Sequence, residues 1–195
     1  MKYFYTADTH YGHANIIKYC DRPFKDVNHM DAVLIRNHNS RVKPEDVVIF
    51  NGDFCFKNSP GGKIGEGEQN KAEFYINQLY GNKIFIKGNH DSNNSLKTIV
   101  ERLVIGYGGK RINIVHKPEM VDFNYDINFT GHVHQNWAFK RIINGSAITD
   151  AINIGVDVHK FMPITFEELF SKYSLWLKQK GYEKEYIKLG DLICV

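Results

Sequence analysis

Five short apolar, β-branched or aromatic runs of this chain each end at a cluster of Asp, Asn or His, and that repeated ending is what most limits its fold. Residues 2–6 lead into Asp8-Thr9-His10 and residues 47–51 into Gly52-Asp53. Residues 83–87 lead into Gly88-Asn89-His90-Asp91, residues 111–115 into His116, and residues 127–130 into Gly131-His132-Val133-His134. Runs this short, bounded by turn formers, predict strands, and a sixth follows at 151–156. Ligands of open α/β sheets collect at the carboxyl ends of strands, so the five endings predict one shared polar site.

Between the strands lie segments with helical spacing. Residues 26–42 place Val27, Met30, Val33 and Leu34 on one face, and residues 68–80 follow the same rule. Residues 92–105 predict another helix, capped by Ser92 and buried through Leu96, Ile99, Val100 and Leu103. A last helix begins at Thr165, which with Glu168 forms a capping box. Strand and helix alternate in the first half, whereas the second half is richer in consecutive strands. The expectation is one α/β domain over residues 1–195, with two mixed sheets flanked by helices. Residues 57–69, with Pro60 and four glycines, read as a long surface loop.

Composition narrows the class. Hydrophobic residues at 43% and charged residues at 24% exclude a disordered or collagen-like chain. A net charge of +3 is too mild to argue for nucleic acid by itself, and no apolar run reaches the roughly 18 residues of a membrane span. Asp8 and His10 stand where a signal peptide would carry its apolar core. The three cysteines are widely spaced and suggest neither a zinc pair nor a disulfide framework, so a reducing cytoplasm is expected.

The chemistry of the endings is that of hard to borderline metal ions. Asp8 and His10 are two residues apart and point to one side if the segment is extended, as do His132 and His134. Asp53 follows a glycine, which lets its carboxylate turn toward two ions. Imidazole, carboxylate and amide oxygen, with no thiolate among them, suit Mn, Fe, Zn or Ni. Two divalent ions against the carboxylates of Asp8 and Asp53 and one hydroxide leave a net positive charge. Such a site attracts a phosphate ester and stabilises the charge of its transition state.

The ordered set Asp-x-His, Gly-Asp, Gly-Asn-His-Asp, His and Gly-His-x-His, from Asp8 to His134, resembles the calcineurin-like metallophosphoesterase superfamily. The stretch from Asp8 to Ile17 is similar to its small prokaryotic and phage-type members. The resemblance implies a four-layer α/β/β/α sandwich around two divalent metal ions, manganese first. It also implies hydrolysis of a phosphodiester or phosphomonoester by a metal-bridging hydroxide. By the same resemblance Asp8, His10, Asp53 and His134 hold one ion, and Asp53, Asn89, His116 and His132 the other. His90 matches the histidine that protonates the leaving group.

Around these, Asp91 is expected either to orient His90 or to cap the following helix. His13 is a candidate phosphate contact, and Tyr11 a candidate stacking partner for a base or aryl group. Arg22, Asp157 and His159 read as solvated or turn residues. The substrate expected is a small phosphate ester, nucleotides included, with no membrane partner. A nuclease on the same chemistry and a non-catalytic scaffold of the same fold remain alternatives. A phosphoprotein phosphatase is disfavoured, since the second and third motifs lack the arginines of that pattern.

Overall fold

A computed structural model describes residues 1–56, 70–92, 95–107 and 109–182. In chain order its elements are β1 (Tyr3–Thr6), α1 (Ala14–Tyr19), α2 (Val27–Asn39), β2 (Val47–Asn51), α3 (Ala72–Ile76) and β3 (Asn82–Ile86). There follow β4 (Arg102–Tyr107), β5 (Lys110–Val115), β6 (Ile127–Thr130), β7 (Phe139–Asn144), β8 (Ala147–Asn153), β9 (Ile164–Thr165) and α4 (Phe166–Lys180).

The strands form two mixed sheets, ordered β3-β2-β1-β9 and β4-β5-β6-β8-β7. Within the first, β1, β2 and β3 are parallel and β9 is antiparallel. Within the second, β5, β6 and β8 are parallel, and the edge strands β4 and β7 run against them. The strand period of two divides the core. Phe4, Val48 and Phe50 face a cluster with Met30 and Leu34 of α2 and Tyr75 of α3. Tyr5 and Ile49 face the other way, into a second cluster with Ile112, Ile114, Ile127, Phe129 and Ile152 of the second sheet. Leu169, Phe170, Tyr173 and Leu177 of α4 complete that second cluster.

The helix ends follow from their sequences. Asp26 caps α2 by accepting from the His29 N–H at 2.7 Å. Thr165 and Glu168 form the expected capping box at α4, and Gly181, at φ 72°, ends it.

Two expectations change. Among the described residues of 92–105 there is no α-helix. His90–Ser92 is a single 3₁₀ turn, and residues 102–107 form edge strand β4 on β5. Leu103 and Ile105 alternate with more exposed neighbours, a strand period, and Ile99, placed on the apolar face of the expected helix, is 92% exposed. The strand expected at 151–156 runs from 147 to 153 and is the second arm of a hairpin with β7. Its signal was Asn144-Gly145, the turn pair that supplies positive φ, here 60° at Gly145. The helix expected at 68–80 covers Ala72–Ile76, and the loop expected at 57–69 lies outside the described residues.

The parallel strands β1, β2 and β3 end on one edge, and β5, β6 and β8 deliver their own ends beside it. A bridge between Ala7 and Gly155 links the chain just past β1 to the chain just past β8. The polar endings therefore meet.

Candidate metal centre

Asp8 and His10 do not lie on an extended segment. Both sit in the left-handed region, at φ 58° and 50°, and so do Asp53 (53°), His132 (70°) and His134 (49°). This conformation costs a non-glycine residue about 1–2 kcal/mol, so the tertiary contacts must enforce it. The Asp8 N–H donates to Gly52 O (3.1 Å), and the His10 N–H to Asp53 O (3.0 Å). The His132 N–H donates to the Asp8 carboxylate at 2.9–3.0 Å. The His90 N–H donates to Asp53 Oδ1 (2.9 Å). Each loop is held in its strained form by a neighbouring loop of the same site.

Two groups result. Asp8, His10 and His134 form one, and Asp53, His116 and His132 the other; within each, one ligand-capable atom per residue lies within 4.8 Å of the rest. Asp53 Oδ2 is 3.3 Å from His116 Nε2 and 3.6 Å from His10 Nε2, so it stands between the groups. Asn89 Oδ1 is 3.1 Å from His116 Nε2. The glycines of the motifs make this approach possible. A Cβ on Gly52 would lie 2.3 Å from His116 Nδ1, and one on Gly88 would lie 2.2 Å from Asp53 Oδ1.

The electrostatics fit cations. Asp8 is wholly buried, and burial pushes its carboxyl up to about 6. Burial also drives His10 well below the ordinary histidine range, and neither of its ring nitrogens has a hydrogen-bond partner. Burial works to lower His116 as well, but the Asp53 carboxylate overrides it and raises the imidazole to about 9. Burial in turn works to raise Asp53, and the His116 contact holds it below the usual carboxylate range. A buried carboxylate that recruits a proton onto an imidazole, beside a histidine with two orphaned nitrogens, has the donor set of a divalent cation site. The His116 Nδ1 donates to Asn51 O (2.8 Å), which leaves Nε2 directed at the centre.

A cleft of about 410 Å³ opens onto this centre. His90 lies exposed at its edge, its ring 5.2 Å from that of His10. His13 stacks on Phe56 at 4.1 Å and stands 5.5 Å from His10, so it too faces the cleft. Cys20 lines the same wall and interacts with the His134 ring, which places a thiol where none was expected.

Tyr11 does not face the cleft. It is 1% exposed and stacks on Tyr75 at 4.9 Å, with Phe54 at its edge. The left-handed turn at His10 sends the next side chain inward. The aromatic ring at the cleft mouth is Tyr19, 72% exposed and 6.3 Å from His13. Asp91 also has a task not foreseen from the sequence. Its carboxylate accepts from the N–H groups of Gly88 (2.8 Å), Asp53 (2.8 Å) and Phe54 (3.2 Å), so it ties the second motif to the third.

Arg22 and Asp157 are not solvated. The Arg22 side chain is 0% exposed and that of Asp157 2%, and the two pair at 2.8 Å. Asp157 Oδ2 is 2.9 Å from His134 Nδ1. Burial works to lower His134, and the Asp157 contact overcomes it, raising the imidazole to about 10. The position of Asp157, shortly after a strand end like the other acidic site residues, was a signal for it; nothing local marked Arg22. His159 lies in a turn, as expected, but is buried, with its Nε2 2.8 Å from Asn153 O.

Known proteins resemble this chain at three levels. A family model described as calcineurin-like phosphoesterase matches residues 1–187. The uncharacterized protein MJ1445 of Methanocaldococcus jannaschii is 33% identical over 172 residues, 85% of this chain and 88% of that protein. The solved structure of AQ665 from Aquifex aeolicus, a protein of unknown function, superimposes with a TM-score of 0.61 at 23% identity. It covers 87% of this chain and 98% of its own, and shows the shared fold.

Proposed function

This chain belongs to the calcineurin-like phosphoesterase family, and on that basis we propose that it hydrolyses a phosphodiester or phosphomonoester at a two-cation centre. In this reading Asp8, His10, Asp53 and His134 hold one ion, and Asp53, Asn89, His116 and His132 the other. Bound there, two divalent cations, manganese first, supply Lewis acidity toward the phosphoryl oxygens and a water of lowered pKa. The observation that carries the reading is Asp53 standing between two groups of imidazoles and carboxylates, one of which contains the orphaned nitrogens of His10.

The chain's own residues supply the rest. Only two carboxylates, Asp8 and Asp53, belong to the ligand set, so neutral imidazoles leave the cation charge free to attract an anionic ester. His90, exposed at the cleft edge and fixed through its backbone N–H to Asp53, gives its proton to the departing alkoxide. General acid catalysis of this kind is worth about 10²–10⁴-fold. His13 contacts the phosphate from its place beside His10, its ring held by Phe56. Tyr19 offers its face to an aryl or nucleoside ester group. Among the described residues no helix is long and apolar enough to cross a membrane.

The test is hydrolysis of a bis-aryl phosphate and of a nucleotide panel by protein loaded with Mn²⁺. Chelation should abolish turnover. His90→Ala should keep both ions and lose about 10²–10⁴-fold in kcat, whereas Asp53→Ala should lose metal as well. Metallated protein inert toward the whole panel would overturn the proposal.

A further inference from the structure

The two groups of ligands are not supported alike. Behind His116 stands a neutral backbone carbonyl, Asn51 O. Behind the group of Asp8, His10 and His134 stands a buried ion pair, Arg22 with Asp157. A guanidinium has five N–H donors in a fixed plane, and here all five are used. Nε donates to Asp157 Oδ1 at 2.8 Å, and Nη2 to Asp157 Oδ2 at 2.9 Å and to the Asp8 carbonyl at 2.7 Å. Nη1 donates to the Thr9 carbonyl at 3.1 Å and to Met30 Sδ at 3.4 Å.

Apart from the contact to Met30, a core residue of α2, each bears on the same ligand group. Two of them grip the backbone of Asp8 and Thr9, where Asp8 is held at φ 58°. The other end acts through Asp157. A carboxylate can only accept, so the 2.9 Å contact places a proton on His134 Nδ1 and leaves Nε2 as the donor to a cation. One arginine on the chain after α1 thus orients ligands that follow β1 and β6, Asp8 and His134. Burying a charge pair is costly in itself, and replacing such pairs by apolar groups is often neutral for stability. Stability is therefore a weak reason for the pair to be here.

We infer that Arg22, acting through Asp157 and the Asp8 carbonyl, is a positioning residue that sets the cation affinity of the Asp8–His10–His134 position and not of the other. The inference rests on the two-cation reading above. Loss of an outer partner of this kind typically costs 10–100-fold in metal affinity.

The experiment is calorimetric titration of the apoprotein with Mn²⁺, with a thermal melt of each sample before metal is added. Wild type should bind two ions. Arg22→Met alone would leave the buried Asp157 carboxylate with His134 but without its guanidinium, so the principal variant is the double one, Arg22→Met with Asp157→Asn, which removes both charges. It should bind one ion as wild type does and the other about 10–100-fold more weakly. The event that survives should be the one that also survives in His134→Ala. Arg22→Lys keeps the charge but loses the planar fork and should resemble the double variant.

If the folded double variant binds both ions with wild-type affinity, the pair is merely structural and the inference falls. It falls equally if both affinities drop together. Wild type holding fewer than two ions would sink the two-cation reading itself, and this inference with it.

Discussion

Gly88→Ala tests how closely the second and third motifs are forced together. Asp91 Oδ2 accepts from both the Gly88 N–H and the Asp53 N–H at 2.8 Å, so one oxygen draws two backbones onto each other. A Cβ on Gly88 would lie 2.3 Å from Asp53 N and 2.2 Å from Asp53 Oδ1, far inside van der Waals contact. Neither atom is free to yield. Asp53 N is hydrogen-bonded to Asp91, and Asp53 Oδ1 accepts from the His90 N–H. Forcing one methyl into a filled site costs about 1–3 kcal/mol. For a chain of this size each kcal/mol lowers the melting temperature by about 2–4 °C, which gives an expected fall of about 2–12 °C. Gly106→Ala is the control, because its Cβ would meet nothing within 4 Å. There the smaller entropy of the unfolded chain should leave stability equal or raised by about 0.4–1 kcal/mol. The assay is thermal unfolding of the apoproteins followed by Mn²⁺ titration. Gly88→Ala should also weaken metal binding, since relief of the clash must shift Asp53. A Gly88→Ala protein that melts with the wild type and binds metal equally would refute the argument.

Three further outcomes follow from burial. Tyr19→Ala should leave the melting temperature unchanged and raise KM for an aryl or nucleoside ester. Loss of a stacking face is worth about 1–3 kcal/mol, or about 5- to 150-fold. Tyr11→Ala should instead destabilise by about 3–5 kcal/mol, as large-to-small changes of core aromatics do; an exchange of these two phenotypes would show that the cleft has been assigned to the wrong tyrosine. His38, buried and donating through Nε2 to Tyr80 O at 2.9 Å, is held neutral, with burial lowering its pKa to about 4. An unfolded histidine titrates near 6.5, so between the two values the unfolded chain binds more protons. The stability His38 confers is therefore complete above about pH 6.5 and is lost as pH falls toward 4, by up to about 3 kcal/mol. His38→Gln should flatten that part of the pH–stability curve, and equal slopes in the two proteins would discard the idea.

The elements legible in the sequence were those whose pattern is local. The strands at 47–51 and 127–130 are bounded as expected, because apolar runs closed by turn residues have little else to become. Thr165 and Glu168 announce a helix start through contacts three residues apart. Residues 92–105 misled because Leu96, Ile99, Val100 and Leu103 satisfy the helical spacing by accident. What decides their state is the pairing of 102–107 with 110–115, a partner the local spacing does not weigh. The candidate ligands were legible for a different reason. Metal chemistry restricts their residue types, and the sheet restricts where they follow.

What the sequence by itself determined is therefore the inventory: which strands exist, in what order their polar endings come, and that nine Asp, Asn and His side chains are concentrated at them. Direction belonged to the tertiary structure. The left-handed turns at Asp8, His10, Asp53, His132 and His134 are unfavourable locally and persist only because neighbouring loops bond them in place. Those turns send Tyr11 into the core while Tyr19, on α1, is left at the cleft mouth. The same contacts bury Arg22 against two backbone carbonyls and turn Asp91 onto three N–H groups. A side chain's partner across the sheets is set by how the sheets pack, and spacing along the chain does not carry that information.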